Sequence, residues 1–189
     1  MNKRRVVPAL FVLLFLVAAS GVMQANAISG SLPFAMFGAA ESGGSTLFTS
    51  TSESATDTQT SGVGTGDFAA VLPVGISFGA VTLNDLGVGS GGGFSITNST
   101  WGTFKATGGS IVLRTPTFLN VDLTGTFVPG PGFPSTTTAG PVVAHVSFTQ
   151  TGPSVSGSFT LASVPEPASM ALLGSGILLV GWLVRRRTA

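Results

Sequence analysis

Apolar and polar residues alternate along the second half of the chain, so that every other side chain is apolar. The alternation runs through residues 118–128, 142–149 and 154–163, and a shorter stretch of it lies near residue 78. A repeat of two residues is the period of a β-strand with one buried face, whereas a helix repeats every 3.6 residues. The positions that this pattern predicts to face a core are Val74, Ile76, Phe78, Ala80, Leu119, Val121, Leu123, Phe127, Val142, Ala144, Val146, Phe148, Val155, Gly157, Phe159 and Leu161.

The other apolar runs of this region are shorter and are separated by turn-forming sequences. Residues 94–98, 101–106 and 110–115 predict three further strands, and "GVGSGGG", "TGG" and "PGPGFPSTTTAGP" predict turns. Short strands at close spacing, with no convincing helical period between them, are typical of antiparallel all-β folds. The pattern therefore predicts an all-β body over residues 67–163, folded as an antiparallel β-sandwich or a jelly-roll-like fold.

Residues 28–66 have a different composition. The sequence "ESGGSTLFTSTSESATDTQTSGVGTG" is rich in Ser, Thr and Gly, which bury too little apolar surface to offset the entropy of ordering a long segment. Residues 46–52 could still form a strand through Leu47 and Phe48, and "SLPFAMFGAA" could form a short strand or a patch on the body. We therefore expect residues 28–66 to be partly disordered or to supply edge strands.

Charged residues are few and unevenly placed. They make up 8% of the chain, against roughly 25% in a typical soluble domain. Between residues 28 and 163 the only bases are Lys105 and Arg114, against six acids, which gives a formal charge of −4. Nucleic-acid binding needs clustered Lys and Arg to neutralise phosphates, so this body is not predicted to bind nucleic acid.

The residue types that carry most enzyme and metal chemistry are scarce. The chain has no Cys, which excludes disulfides, thiolate metal sites and Cys nucleophiles. His145 is the only histidine, and the alternation places it on the polar, exposed face of its strand. One His cannot build a multi-His zinc site, and although a Ser-His-Asp triad stays open, no G-x-S-x-G elbow occurs. We therefore predict a protein that is not an enzyme and that needs no cofactor or metal.

One pair of side chains in the predicted body could contact a ligand. Trp101 and Lys105 are four residues apart and lie on the same face of a predicted strand, where the ring could stack on a sugar. The alternative is half-buried packing of the ring or a cation–π contact between the two side chains. The sequence favours packing and leaves a ligand contact open.

The first 27 residues have the three parts of a secretory signal peptide in order. Residues 3–5 are basic, residues 6–19 are apolar, and Ala25 and Ala27 are the small residues of an A-x-A cleavage site. We predict an N-terminal signal helix that signal peptidase removes by cutting after Ala27. An uncleaved membrane anchor is the alternative.

A second apolar run lies near the other end of the chain. Residues 168–184 include no charged side chain, and as a helix with a rise of ~1.5 Å per residue they would span about 25 Å, near the lower limit for crossing a bilayer. Trp182 lies near the end of this run, where an aromatic residue suits the membrane interface. The basic tail, residues 185–189, should stay on the cytoplasmic side by the positive-inside rule. The arginines of this tail are Arg185, Arg186 and Arg187.

Two prolines precede the apolar run. Pro165 and Pro167 fix their own φ angles and push Val164 and Glu166 toward extended conformations. Glu166 is the only charge in this stretch and cannot enter lipid cheaply. Residues 164–167 are therefore predicted to form a stiff, extended tetrapeptide at the outer membrane boundary. Because proteases commonly bind substrates in extended form, this tetrapeptide suits recognition by a membrane enzyme.

The whole combination resembles a known sorting signal. "VPEPASMALLGSGILLVGWLVRRR" is similar to the PEP-CTERM signal of Gram-negative, exopolysaccharide-producing bacteria, in which Pro-Glu-Pro, a short transmembrane run and a basic cluster occur in this order. The resemblance covers residues 164–189 and says nothing about residues 28–163. It implies an exosortase, an integral-membrane cysteine protease-transpeptidase, as a partner. By the same resemblance, the recognised residues are Val164, Pro165, Glu166 and Pro167.

These signals together predict the route of the protein. We expect it to be exported and anchored for a time, with its body outside the cytoplasm and its C-terminus inside, and to reach the cell surface or the extracellular space. The leading hypothesis for the body is a non-enzymatic structural or adhesive role in an exopolysaccharide-associated envelope, with the membrane and exopolysaccharide as partners. A secreted carbohydrate-binding β-sandwich module is the alternative, and a secreted hydrolase is a third hypothesis.

Overall fold

The computed structural model describes residues 26–71 and 73–164, together with Gly176. Strands and the connections between them make up nearly all of this part, and two 3-10 helices, Gly66–Ala70 and Asp85–Ser90, lie in the longer connections. The strands, numbered along the chain, are β1 (Asn26–Ala27), β2 (Ser31–Phe37), β3 (Ala40–Ser42), β4 (Ser52–Thr60), β5 (Ser77–Asn84), β6 (Ser95–Asn98), β7 (Gly102–Arg114), β8 (Phe118–Pro129), β9 (Thr137–Thr138), β10 (Gly140–Thr151) and β11 (Ser154–Ser163).

Nine of the strands form one antiparallel sheet. Its order is β3–β4–β2–β11–β10–β8–β7–β6, and β5 pairs with β4 on the edge opposite to β2. The sheet curls into a half-barrel, and the curl brings its two edge strands, β5 and β6, into contact. There, the Asn98 Nδ2 donates to the carbonyl oxygen of Ser77 at 2.8 Å. The short strands β1 and β9 pair with each other in parallel.

The predicted fold class is confirmed as antiparallel and mostly β, but the strands do not divide into the two sheets of a sandwich. Alternation specifies which face of each strand is buried. It does not specify whether the strands pair into two stacked sheets or into one sheet that encloses its own inner face. In this protein β2 joins β4 to β11, and the sheet continues without a break.

The inner face of the curled sheet holds a core rich in phenylalanine. Phe34 of β2 stacks on Phe159 of β11 with ring centroids 4.5 Å apart, and Phe94 meets Phe159 edge-on at 5.4 Å. Phe68, from the first 3-10 helix, packs edge-on against Phe127 at 5.1 Å. Each such pair contributes about 0.5–1.5 kcal/mol beyond the burial of its area. The fully buried phenylalanines are Phe34, Phe68, Phe78, Phe94, Phe104, Phe127, Phe148 and Phe159.

The predicted faces of β8, β10 and β11 are confirmed. Every predicted inward position of β8 and β10 is buried, and on β11 Phe159 and Leu161 are buried, with Val155 and Gly157 partly so. Around β5 the alternation is confirmed for Phe78, which is buried, and wrong for Val74, which precedes the strand and is exposed. Gly79 has φ +82° and lies at a shift in the pairing with β4. This bulge moves the following side chains to the other face, so the prediction for Ala80, which is exposed, was wrong.

Strand β7 is longer than the sequence predicts. Residues 101–106 and 110–115 were expected to form separate strands, but one strand, Gly102–Arg114, runs through the "TGG" sequence. The pairing with β8 shifts between Ala106 and Gly108. A Cβ on Gly109 would lie 2.7 Å from Leu123 Cδ2, so glycine here allows β7 to pass close to β8 and does not mark a turn.

Residues 28–66 are more regular than their composition predicts. They contain β2, β3 and β4, and β2 lies inside the sheet between β4 and β11. Their alternation is hard to read in the sequence because hydroxyl residues also occupy inward positions, as the buried Thr58 and Thr60 do. Residues 46–49, where a strand was considered, form a turn closed by a hydrogen bond from Ser50 N to the Thr46 carbonyl oxygen at 2.9 Å.

The connections between strands lie at the two ends of the half-barrel, and these ends differ in the segments that form them. At one end β2 begins and β11 finishes, with Ser31 paired to Ala162. We call this the terminus end, and the opposite one the far end. The first 3-10 helix and the connection from β8 to β10 lie at the terminus end. The connections at the far end are residues 43–51, 85–94, 115–117 and 152–153.

Candidate functional site

The strand that precedes the predicted sorting segment is held in the middle of the sheet. β11 pairs with β10 on one side and with β2 on the other. At its end, Ser163 N donates to the Gly30 carbonyl oxygen at 2.8 Å, and Gly30 N donates to Ser163 Oγ at 2.9 Å. Val164 N donates to the Pro141 carbonyl oxygen at 3.1 Å. The sheet therefore fixes the backbone as far as Val164, whose side chain is 40% exposed.

The chain enters the sheet at this same end, next to the predicted cleavage site. Asn26 and Ala27 form β1 and pair with β9. Ile28 is buried, and its N–H donates to the Thr138 carbonyl oxygen at 3.1 Å. Cleavage after Ala27 would thus leave a first residue that already belongs to the core. The cleavage itself stays a prediction.

Most residues of the two predicted membrane segments lie outside the described part of the chain. They include the signal helix with Ala25, the run 168–184 apart from Gly176, and the basic tail. In the part that the structure describes, no helix has the length and hydropathy needed to cross a bilayer. The roles predicted for these residues therefore stay predictions. The site residues concerned are Pro165, Glu166, Pro167, Trp182, Arg185, Arg186 and Arg187.

Comparison with protein families finds a match in the segment that follows the body. The family model described as the PEP-CTERM protein-sorting motif matches residues 163–187. The chain carries a PEP-CTERM sorting motif. The sequence prediction of this signal is confirmed, and it implies export and sorting by an exosortase. Comparisons with curated proteins and with solved structures find no match.

The PEP-CTERM motif and the fold meet at one residue. The match begins at Ser163, which is also the last residue of β11. The three hydrogen bonds at Ser163 and Val164 hold this junction, so the motif leaves the sheet with no intervening linker. β11 is extended as far as this junction, and the sequence prediction for the two prolines that follow is that they disfavour a helix before residue 167.

The far end of the sheet, away from the PEP-CTERM motif, encloses a charged cluster that the sequence did not predict. Glu53 is fully buried and Asp85 is 6% exposed. Arg114 Nη2 lies 2.8 Å from Asp85 Oδ2, and the guanidinium also donates to the carbonyl oxygens of Leu47, at 2.9 Å, and of Ser50. One of the two bases of the body is therefore committed to neutralising a buried acid.

Glu53 and Asp85 form a carboxyl pair that retains a proton. Burial, followed by the hydrogen bond with Asp85, raises the pKa of Glu53 from its ordinary value of 4.5 to about 8, although the Ser50 hydroxyl and Arg114 act in the opposite direction. Among the described residues, one oxygen of Glu53 and one of Asp85 have no hydrogen-bond partner. A proton retained on Glu53 lets this carboxyl donate to Asp85. Glu53 is therefore mostly neutral at pH 7.

Gln150 holds the loop of residues 43–51, which Arg114 also contacts. Its Oε1 accepts from Leu47 N at 2.9 Å, and its Nε2 donates to Glu41 Oε1 at 3.3 Å and to the Ser45 carbonyl oxygen at 3.2 Å. Among the described residues, no group of three or more His, Asp or Glu side chains is placed to hold a metal ion. The guanidinium of Arg114 supplies the positive charge that these oxygens need, and the cluster acts as a clamp on the loop.

His145 lies on the exposed, outer face of β10, as the alternation predicts. Its Nδ1 is 2.7 Å from Asp122 Oδ1 on β8. Beside it, Ser147 Oγ donates to Asn120 Oδ1 at 2.8 Å, so this serine is not oriented toward the imidazole as a triad nucleophile would be. These four side chains and Val112 line an open depression of about 280 Å³.

The structure places the two residues predicted as a possible ligand contact in different surroundings: Trp101 is half-buried and Lys105 is exposed. Trp101 is half-buried and meets Phe133 edge-on, with ring centroids 5.8 Å apart. A Cβ on Gly132 would lie 2.7 Å from the indole, which shows how closely this loop covers the ring. Lys105 is exposed on the outer face of β7. This geometry favours the packing interpretation of Trp101, and a ligand contact stays a prediction.

Proposed function

We propose that this protein is an exported cell-surface or extracellular-matrix protein, sorted and processed by an exosortase, with a non-enzymatic structural or adhesive role in an exopolysaccharide-associated envelope. The observation that carries the proposal is the junction at Ser163, where the last strand of the sheet ends and the PEP-CTERM match begins. The described strands of the sheet end by Ser163 and so precede residues 164–189. Processing within residues 164–189 would therefore leave the body whole.

The proposed sorting step uses each part of the motif for one task. The run 168–184 would anchor the chain in the inner membrane, and Arg185 to Arg187 would hold its end in the cytoplasm. Pro165, Glu166 and Pro167 would be the residues that the exosortase recognises. Fixed backbone up to Val164 and two prolines after it reduce the entropy that an enzyme must remove to bind an extended substrate. Signal peptidase would already have removed residues 1–27.

The chemistry of the body supports a role without catalysis. Glu53 and Asp85, the acids with the most unusual surroundings, are enclosed and engaged with Arg114, so substrate does not reach them. His145 is exposed, and its nearest carboxylate partner is the half-exposed Asp122. A general acid or base normally sits in a pocket that shifts its pKa and excludes water. The open outer face of β10 does not exclude water.

Replacing Glu166 with alanine tests the sorting role. We expect the variant to stay in the inner membrane with its tail intact, because recognition loses the only charge of the Pro-Glu-Pro segment. Membrane fractionation combined with mass spectrometry of the C-terminus measures both effects in cells that contain the exosortase. Normal processing and release of Glu166→Ala would contradict the proposal.

The matched control for this experiment is Thr188→Ala. Thr188 also lies in the tail, but it follows the arginines and the PEP-CTERM match. We expect its processing and its location to equal those of the unchanged protein. Equal retention of both variants would point to a general effect on expression or export.

A carbohydrate-binding role is the second candidate, favoured by the depression on the outer face of the sheet. His145, Asp122, Asn120 and Ser147 offer donors and acceptors for sugar hydroxyls, and Val112 offers an apolar contact. A glycan array compares the unchanged chain with Asp122→Ala. Binding that this change abolishes would favour a carbohydrate-binding module, and binding of no glycan would favour the structural role. Glycan cleavage lost in His145→Ala would favour a hydrolase.

A further inference from the structure

Both ends of the folded body leave the sheet at the same place. Gly30 and Ser163 are joined by two hydrogen bonds, although they are separated by 133 positions in the sequence. From Val164, which the sheet still holds, only residues 165–167 precede the uncharged run 168–184. Even fully extended, these residues and their flanking bonds span at most about 14 Å. A body attached by so short a segment cannot turn freely above the membrane.

The terminus end is almost free of charge. Residues 26–31, 61–77, 98–102 and 128–140, which form it, contain Asp67 and no other charged residue. The Asp67 carboxylate accepts from Ser29 N at 2.8 Å and from Ser29 Oγ at 2.9 Å. Exposed apolar side chains at this end belong to Val63, Val74, Val128 and Val164. A neutral surface of this kind loses little hydration energy when it approaches lipid headgroups.

The other acids and bases of the body lie elsewhere, although Asp57 of β4 accepts a hydrogen bond from Ser77 Oγ at the border of this end. Arg114 and its buried carboxyl partners are at the far end, and Asp122 and Lys105 are along the strands. The far end also exposes apolar side chains, so hydrophobicity alone does not choose between the two ends. The short connection to residues 168–184 and the scarcity of charge both indicate that the terminus end faces the membrane. The exposed apolar side chains at or near the far end are Phe37, Phe48, Leu86, Ile111, Val112, Leu113 and Phe118.

We propose that the terminus end of the body lies against the phospholipid headgroups of the membrane for as long as the PEP-CTERM motif is attached, and that the far end points away. The proposal rests on the proposed function in one respect, namely that residues 168–184 enter the membrane. It adds an orientation and a contact surface for the body. In this orientation the segment 164–167 lies between the body and the lipid, and the exosortase must approach it from the side.

The absence of cysteine in the chain makes the orientation measurable with single labels. Val63 at the terminus end and Val112 near the far end are both 62% exposed, and Val74 and Leu113 are both 46% exposed, which gives two matched pairs. Each is replaced by cysteine in the full chain and labelled with an environment-sensitive fluorophore. The chains are reconstituted in phosphatidylcholine vesicles that carry a headgroup quencher in both leaflets.

We expect the labels at Val63→Cys and Val74→Cys to be quenched at least about twofold more than those at Val112→Cys and Leu113→Cys, because ten residues of strand from Gly102 to Val112 span roughly 33 Å. Inserting a flexible 20-residue Gly/Ser linker after Val164, with a mean span of about 25 Å, should remove most of the difference. Equal or reversed quenching without the linker would overturn the orientation and leave the sorting proposal intact. A chain that does not associate with the vesicles would contradict both proposals.

Discussion

Replacing Arg114 with methionine should lower the free energy of unfolding of the full chain by about 3–5 kcal/mol. The substitution removes the donors to Asp85 Oδ2 and to the carbonyl oxygens of Leu47 and Ser50. The acid stays buried without its counter-charge, and the apolar volume of methionine does not compensate for that. Denaturant unfolding in detergent, followed by circular dichroism, measures the loss.

The matched control is Lys105→Met, which removes the other base of the body from an exposed position on the same strand. We expect it to change the free energy of unfolding by no more than about 0.5 kcal/mol. An equal loss in both variants would attribute the effect to net charge. An Arg114→Met variant as stable as the unchanged chain would show that the cluster does not clamp the far end.

Replacing Glu53 with glutamine should remove most of the dependence of stability on pH between about 4.5 and about 8. In that interval the folded chain keeps the proton on Glu53, because burial and the neighbouring Asp85 raise its pKa to about 8, whereas the unfolded chain has lost it. Raising the pH therefore favours unfolding by up to about 1.4 kcal/mol per pH unit, and the full loss is reached above pH 8. Glutamine keeps the shape and can donate to Asp85 without titrating.

The measurement is a series of denaturant midpoints from pH 5 to pH 9. We expect the unchanged chain to become less stable as the pH rises, and Glu53→Gln to follow a flatter course and to be the more stable of the two at pH 8. Asp67→Asn is the control, since Asp67 lies at the terminus end and bonds to Ser29. Parallel curves for Glu53→Gln and the unchanged chain would contradict the retention of a proton on Glu53.

The faces of β8, β10 and β11 could be predicted because amphipathic alternation is a property of each strand alone. Leu123, Val146 and Leu161 are buried as their positions in the pattern require. The arrangement of the strands could not be predicted in the same way. Ser31 pairs with Ala162 although most of the sequence separates them, and no local pattern specifies a partner so distant in sequence.

The buried cluster shows a different limit of sequence reasoning. Glu53 lies two positions before the buried Ala55, so alternation alone places this carboxylate on the inner face. The general preference of Glu for solvent hid that signal. Its contact with Asp85 further depends on the pairing of β4 with β5, and the contact with Arg114 on the curl of the sheet. A bulge at Gly79 was equally invisible, since glycine is as common in turns as in bulges.

The PEP-CTERM motif could be predicted because its parts act in linear order. Pro165 and Pro167 set the backbone locally, and an apolar run followed by arginines needs no tertiary partner to be recognised. The place where the motif joins the body needed the structure. Composition indicated only that a body ended near residue 163, and the hydrogen bonds to Gly30 and Pro141 fix the junction.

The position of β11 sets the order of events during export. In the proposed export route this strand is the last of the sheet to cross the inner membrane, yet its place is between β2 and β10. Until residues 154–163 emerge, β2 and β10 each lack a neighbour, and Phe34 has no Phe159 to stack on. The body therefore stays open during translocation and cannot fold from its N-terminus onward. Because residues 168–184 follow this strand so closely, the sheet can be completed only as the proposed anchor reaches the membrane.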